Sequence, residues 1–286
     1  MRILFLTHYA WPHVGGVEKH VERIADRLQG MGHEVKIISE EDIKYPHIKF
    51  LGLFYIWFWL WKNRDLIQKT DIIHIHDVFI WYLPFRFIYP NKKVYITFHG
   101  WGGKWPVPFK ERWLMKLGAK LSSGTICVGT YIPKYFGIKT DYVIYGGVEK
   151  INAKNANAKL KNSVIFLGRL EKETGVYEFL ERLKVNGQGL KVEFVGDGSL
   201  RRLCEKYGVV HGFCDPTPFL EKASICFAGG YLSALEALEY GCELWTGANT
   251  PVKKDYWKMF PYKKGSKLPT WEDIGKIYES LYLHNG

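Results

Sequence analysis

"RILFLTHYAWPHVGGVEKHVERIADRLQG", residues 2–30, sets the pattern for the chain. RILFLT (2–7) is a short apolar run of strand length. Val17, Val21, Ile24 and Leu28 then recur every three to four residues, the spacing of an amphipathic helix, and Gly30 and Gly32 stop it. Gly15 and Gly16 lie in the turn between. Strand, glycine turn and helix in succession are the unit from which a wound parallel sheet is built.

The unit repeats. "EVKIIS" (34–39), "DIIHIH" (71–76), "VYITF" (94–98), "TICV" (125–128) and "DYVIY" (141–145) read as strands with helical stretches between them. A polar Asn/Ala/Lys segment, "EKINAKNANAKLKN" (149–162), interrupts the series. It restarts with "SVIFLG" (163–168), "LKVEFVG" (190–196) and "SICFAG" (224–229). The expectation is two Rossmann-like α/β domains, residues 1–150 and 151–286, with the polar segment as linker and hinge. Ligands of open parallel sheets sit at the carboxyl ends of strands. Two such domains facing each other would hold one in the cleft between them.

At 286 residues and 47% hydrophobic, the chain is long and apolar enough for two cores. Its five cysteines are odd in number and scattered without CxxC, which reads as reduced thiols. The opening lacks the features of a secretory leader. A cytoplasmic protein is expected. The net charge of +11 is uneven: residues 1–150 carry 21 basic against 13 acidic residues, the remainder 19 against 16. Residues 92–120 hold seven basic residues and one acidic, so the N-terminal half expects an anionic partner. "FLGLFYIWFWLW" (50–61) is too short to span a bilayer. Apolar all round, it is either packed or interfacial, and a mostly packed helix is the expectation.

Glycine turns follow the strands at "HVGGVEKH" (13–20), "GRLEKETG" (168–175), "GDGSL" (196–200) and "FAGGYLSALEALEYG" (227–241). A glycine turn opening a helix can present free N–H groups to an anion. None completes GxGxxG, so a dinucleotide oxidoreductase is not supported.

The order of "GGVEKH", "DIIHIHD", "TFHG", "GRL", "GDGSL" and a helix bearing "LEALEYG" resembles glycosyltransferase family four, over almost the whole chain. The resemblance implies the GT-B fold, with two Rossmann-like doubly wound parallel-sheet domains facing across a cleft. It implies an acceptor-side first domain, a nucleotide-sugar second domain, and a terminal helix (about 271–283) packing back on the first. It implies a retaining, metal-independent sugar transfer with no cofactor besides the nucleotide-sugar donor. The absence of DxD agrees with metal independence. Glu236 would accept hydrogen bonds from the donor ribose, and Arg169, with Lys172 close by, would clamp the leaving diphosphate. Backbone amides at Gly229, Gly230 and Tyr231 would approach diphosphate or sugar. Gly15, Gly16, Gly196 and Gly198 are further substrate-contact candidates. His99, in "TFHG", would sit near the transferred sugar, so His99 and Arg169 are the catalytic candidates.

Three positions depart from the family pattern. Ala228 stands where a glutamate is usual, eight residues before Glu236. Thr174 stands at the lysine of "GRLxxxKG", and Gly146 at the asparagine of an "NGV" turn. "GGYLSALEAL" with "PVKKDYW" resembles a divergent branch lacking that first glutamate, so an unusual donor site is expected rather than an inactive one.

His74 and His76 share one strand face, a spacing compatible with metal chelation, but no third ligand is evident. Lys104, Lys110, Arg112 and Lys116 interleave with Trp101, Trp105, Phe109 and Trp113. This suits a lipid-phosphate acceptor or peripheral contact with an anionic membrane. Nucleic acid lacks a supporting motif. The acceptor is not named by the sequence. Two rival readings are a non-catalytic nucleotide-sugar binder and a metal hydrolase built on His74, His76 and His99.

Overall fold

A computed structural model describes residues 1–10, 15–48, 50–100, 105–151 and 159–284. It divides into two compact units, Met1–Ile144 with Trp271–Gly286, and Tyr145–Thr270. The division falls before the expected 150/151 boundary. Val148 already belongs to the second unit, where its N–H donates to the Pro269 carbonyl at 2.9 Å and it pairs in parallel with Thr270. Residues 152–158 of the expected hinge lie outside the described residues.

The first unit runs β1 (Arg2–Thr7), α1 (Gly16–Gly30), β2 (Glu34–Ile38), α2 (Glu40–Ile43), α3 (Leu51–Lys62), α4 (Asp65–Gln68), β3 (Ile72–His76), α5 (Phe79–Ile88), β4 (Lys93–Phe98), α6 (Phe109–Leu121), β5 (Gly124–Val128), α7 (Tyr131–Phe136) and β6 (Tyr142–Ile144). Its sheet is parallel, in the order β2-β1-β3-β4-β5-β6. β1, β3 and β4 are buried almost throughout, as strands covered on both faces must be.

The second unit runs β7 (Leu160–Leu167), a 3₁₀ turn (Lys172–Thr174), α8 (Val176–Asn186), β8 (Lys191–Val195), α9 (Arg201–Cys204), β9 (Val209–Val210), α10 (Thr217–Lys222), β10 (Ala223–Ala228), α11 (Tyr231–Glu239), β11 (Glu243–Trp245) and α12 (Pro251–Lys258). Its parallel order is β11-β10-β7-β8-β9. Alternate residues of β7 feed opposite faces: Val164 and Phe166 pack with Phe179, Phe194 and Phe227, while Ile165 and Leu167 pack with Val195, Cys226 and Ala237. The chain then returns as α13 (Trp271–His284) to pack on α1, where Gly275 lets Arg27 and Met31 approach.

Helix α3 differs from its expectation. Only Gly52, Ile56 and Leu60, one stripe at intervals of four, are buried. Leu51, Phe54, Tyr55, Phe58 and Trp61 are 41–63% exposed. An all-apolar helix has no preferred face in sequence, and α5 contacts only one side of it.

Candidate functional site

In the second unit the strand order reverses between β7 and β10, so the loops after Leu167 and Ala228 stand at the switch point, the place where open α/β sheets hold ligands in a crevice. Their backbones touch. Gly229 donates its N–H to Leu167 O at 2.9 Å, and a Cβ on Gly168 would lie 3.3 Å from Gly229 Cα. Gly168 has φ +145°, and a Cβ on Gly196 would overlap Gly168 O, so both positions require glycine.

The amides expected to cradle an anion are already engaged. Gly196 N–H donates to Gly212 O at 2.8 Å, Gly198 N–H to Asp197 Oδ1 at 2.8 Å, and Ser199 N–H to Glu171 Oε1 at 2.8 Å. Gly230 N–H donates to Ser233 Oγ at 3.0 Å and Tyr231 N–H to Tyr256 Oη at 2.7 Å. The phenol of Tyr231 donates to Tyr256 O, and the two rings stack 3.6 Å apart. The amides of Gly229, Gly230 and Tyr231 are thus all bonded within the protein in this structure. In the first unit, the Glu18 carboxylate fills the space a Cβ on Gly15 would take, at the start of α1. That carboxylate suits the helix N-terminus electrostatically, where Gly15 and Gly16 were expected to meet a ligand anion.

Side-chain cations remain. Arg169 and Lys172 are exposed beside the crevice. Thr174 Oγ1 donates to the carbonyls of Arg169 (2.6 Å) and Glu171 (2.8 Å) and accepts from Glu171 N–H (3.3 Å). It closes the turn that carries Arg169, which explains a threonine where the resemblance expects lysine. Lys253 of α12 is 8% exposed and donates to Gly229 O at 3.1 Å. Burial lowers its pKa to about 8, partly offset by the Glu178 charge. Sequence reasoning missed this residue, although "PVKKDYW" contains it. Glu236 is half-buried in the second turn of α11. It lies within electrostatic reach of Cys226, whose thiol is pushed well up by burial first, then by Cys242 and Glu236. Gly146, φ +102°, is glycine because a Cβ there would overlap Leu232.

The first unit gathers a polar network at the carboxyl ends of β3 and β4. Tyr282 Oη lies 2.7 Å from His74 Nδ1, His74 Nε2 2.8 Å from Thr97 Oγ1, Thr97 Oγ1 2.8 Å from Tyr278 Oη, and Tyr278 Oη 3.0 Å from His20 Nε2. His76 Nδ1 lies 3.0 Å from His99 Nε2, and His99 N–H donates to Asp77 Oδ1 at 2.9 Å. Burial lowers His20 and His74 to about 3, and holds His76 and His99 well below 6.5. All four imidazoles are neutral at pH 7. Both nitrogens of His74 are consumed within the core, so His74 and His76 do not form a chelating pair, and a metal hydrolase built on them is not supported. With Nε2 engaged by His76, Nδ1 is the nitrogen His99 can offer a ligand. The tyrosines that complete this network come from α13, some two hundred residues beyond β3, where no local pattern announces them. Lys104 and Trp101 lie outside the described residues.

Residues 14–148 match the model of Glycosyltransferase Family 4. The match covers 135 of the 286 residues, just under half of the chain. An uncharacterized glycosyltransferase of Methanocaldococcus jannaschii is 27% identical over 230 residues, 73% of this chain and 63% of the relative, so the chain spans less than two thirds of that protein. Among solved structures, an Anabaena protein, HepE, in complex with UDP and glucose superposes with a TM-score of 0.61 at 14% identity, covering 99% of this chain and 90% of that one. A UDP-GlcNAc 2-epimerase of Methanocaldococcus jannaschii gives 0.55 at 12% identity, covering 98% and 99%. The fold is GT-B. It is shared by proteins of different chemistry, so the superpositions show the fold alone.

Proposed function

We propose that the chain transfers a sugar from a nucleotide-sugar donor to an acceptor, with retention of configuration and without a metal. The match of residues 14–148 to the Glycosyltransferase Family 4 model carries this reading. The crevice of the second unit adds the chemistry a donor needs: glycine backbone that leaves room, and cations beside it. The similar Anabaena protein was solved with UDP, so a uridine nucleotide is the first donor to try. In the reaction the bond from the anomeric carbon to the diphosphate oxygen breaks, and the acceptor oxygen bonds that carbon. The acceptor's hydroxyl proton ends on the diphosphate. Arg169 stabilises the charge that develops there. Glu236 accepts from the ribose hydroxyls. His99, neutral and held by His76 and Asp77, bonds a sugar hydroxyl or the reacting oxygen through Nδ1.

The acceptor side belongs at an anionic bilayer surface. The exposed face of α3 continues into Phe50 and Ile48, and α6 exposes Phe109 and Trp113 among Lys110, Arg112, Lys116 and Lys120. Both helices pack on α5. An apolar face beside a basic one suits a helix lying in the headgroup region. No described helix is long and apolar enough to cross a bilayer. The test of the activity is release of nucleoside diphosphate from a panel of nucleotide sugars in the presence of lipid extract. Release of diphosphate coupled to a glycosylated product supports transfer. Binding without turnover supports the non-catalytic alternative, which Ala228 keeps in play.

A further inference from the structure

Lys253 is a buried amine outside ion-pair contact with any carboxylate of the described residues. Its hydrogen bond is to one carbonyl, Gly229 O, and among the described residues no carboxylate oxygen lies within 4.0 Å of it. The rings of Tyr256 and Trp257 flank it, 4.3 and 5.2 Å from Nζ. Arg169 and Glu178 are the charges within electrostatic reach. Glu178 Oε2 is itself buried without a hydrogen-bond partner. An ammonium taken from water without an ion-pair partner destabilises a fold, so a purely structural role would favour an apolar side chain here. The carbonyl it holds is that of Gly229, in the loop that forms one wall of the β7/β10 crevice. On that wall Gly229 and Gly230 have no side chains, and on the other Gly168 has none. The backbone beside the carbonyl it holds therefore carries no side chain that would fill a ligand's place.

We propose that Lys253 is the second cation of a nucleoside-diphosphate site in this crevice, acting with Arg169 in place of the lysine that Thr174 displaces. The inference rests on the donor reading above and adds the residue that completes it. A lysine on the 169–175 turn would sit beside Arg169 on one loop. Delivered by α12, the ammonium instead comes from beneath the Gly229 loop, so the two cations reach the ligand from different elements. Thr174 is free to close the turn because the charge comes from elsewhere.

The experiment is calorimetric titration of the wild type, Lys253→Met and Lys253→Arg with UDP, GDP, ADP and the corresponding nucleosides. The wild type should bind one diphosphate. Lys253→Met should weaken that diphosphate by roughly 10- to 100-fold, the range for loss of a hydrogen bond to a charged group, and leave nucleoside affinity unchanged. Lys253→Arg should recover part of the loss. Without ligand, Lys253→Met should melt no lower than wild type, since it removes an unpaired buried charge. Equal diphosphate affinity in Lys253→Met and wild type overturns the assignment while leaving the donor reading intact. A wild type that binds no nucleoside diphosphate overturns both. If Lys253→Met does not fold, the wild type decides by NMR of ε-¹³C lysine. The amine titrating near 8 should stay protonated to higher pH with the diphosphate bound, and an unchanged titration overturns the proposal.

Discussion

The two units share a parallel-sheet plan and differ inside. Among the described residues, the first buries nine polar side chains, including His20, His74, His76 and Thr97, and the second only Ser163 and Lys253. In the first, His20, His74, Thr97, Tyr278 and Tyr282 hydrogen-bond in a chain across β3, β4, α1 and α13, while His76 Nε2 is buried without a partner. In the second, the core is aliphatic and aromatic, and its one buried cation waits at the strand ends. Hydrogen-bonded polar networks rigidify the elements they join, whereas a buried ammonium outside an ion pair is costly to keep for structure alone. In the first unit His76 holds the His99 ring, and in the second Lys253 holds the Gly229 carbonyl.

Acid should break this comparison most strongly. His20 and His74 have folded pKa values of about 3 against 6.5 unfolded. The unfolded state therefore binds more protons between those values, so stability is intact above about 6.5 and falls as pH drops toward 3. Each costs about 1.4 kcal/mol per pH unit well inside that window, or roughly 2 kcal/mol each by pH 5. Hydrogen exchange mapped by mass spectrometry should show peptides of β3, β4 and α13 losing protection at pH 5 while β7 and β10 keep theirs. Equal loss in both units would contradict the contrast. Lys253 has the same sign in another window: its folded pKa of about 8 lies below the unfolded 10.5, so donor-free stability of the second unit should rise from pH 8 toward 10.5.

The next test sharpens the division of labour. The Arg169 side chain is exposed and makes no hydrogen bond or ion pair among the described residues, so Arg169→Ala should leave the melting temperature unchanged. It should lower turnover by roughly 10²- to 10³-fold, as loss of a donor to developing charge does. Intact turnover would move the diphosphate clamp elsewhere, with Lys172 the nearest remaining cation.

Much of the fold was legible because it depends on local pattern. Six runs of the first half and three of the second read as strands, and each falls on a strand of the structure. The two-residue β9 and three-residue β11 were missed because they are too short to show a period. The site was less legible. "GDGSL" and "FAGG" look alike as glycine turns, yet Asp197, Glu171, Ser233 and Tyr256 take their amides, and partners distant in sequence leave no local trace. Lys253 stood within a quoted motif without distinction, since burial rather than spacing marks it. Helix α3 was read as mostly packed because nothing in twelve apolar residues says which side meets protein.

A smaller effect concerns that helix. The wild type should sediment with anionic liposomes at low salt and be released at high salt, since screening shortens from about 10 Å at 0.1 M to about 3 Å at 1 M. Replacing Phe54, Phe58 and Trp61 together by serine should abolish the association without changing donor affinity in the second unit. A wild type that ignores such liposomes at low salt would remove the bilayer from the account.

The account's central claim is that the second unit holds a nucleotide sugar. Its most direct test is the melting temperature of the wild type and Glu236→Ala against UDP-, GDP- and ADP-sugars. One donor at 100 times its Kd should add about 2.7 kcal/mol of apparent stability to the wild type. Glu236→Ala should need a higher concentration of the same donor, by about the factor of 10 to 100 that a charge-assisted hydrogen bond implies. No stabilisation of the wild type by any of these donors, or equal stabilisation of wild type and variant, would contradict it.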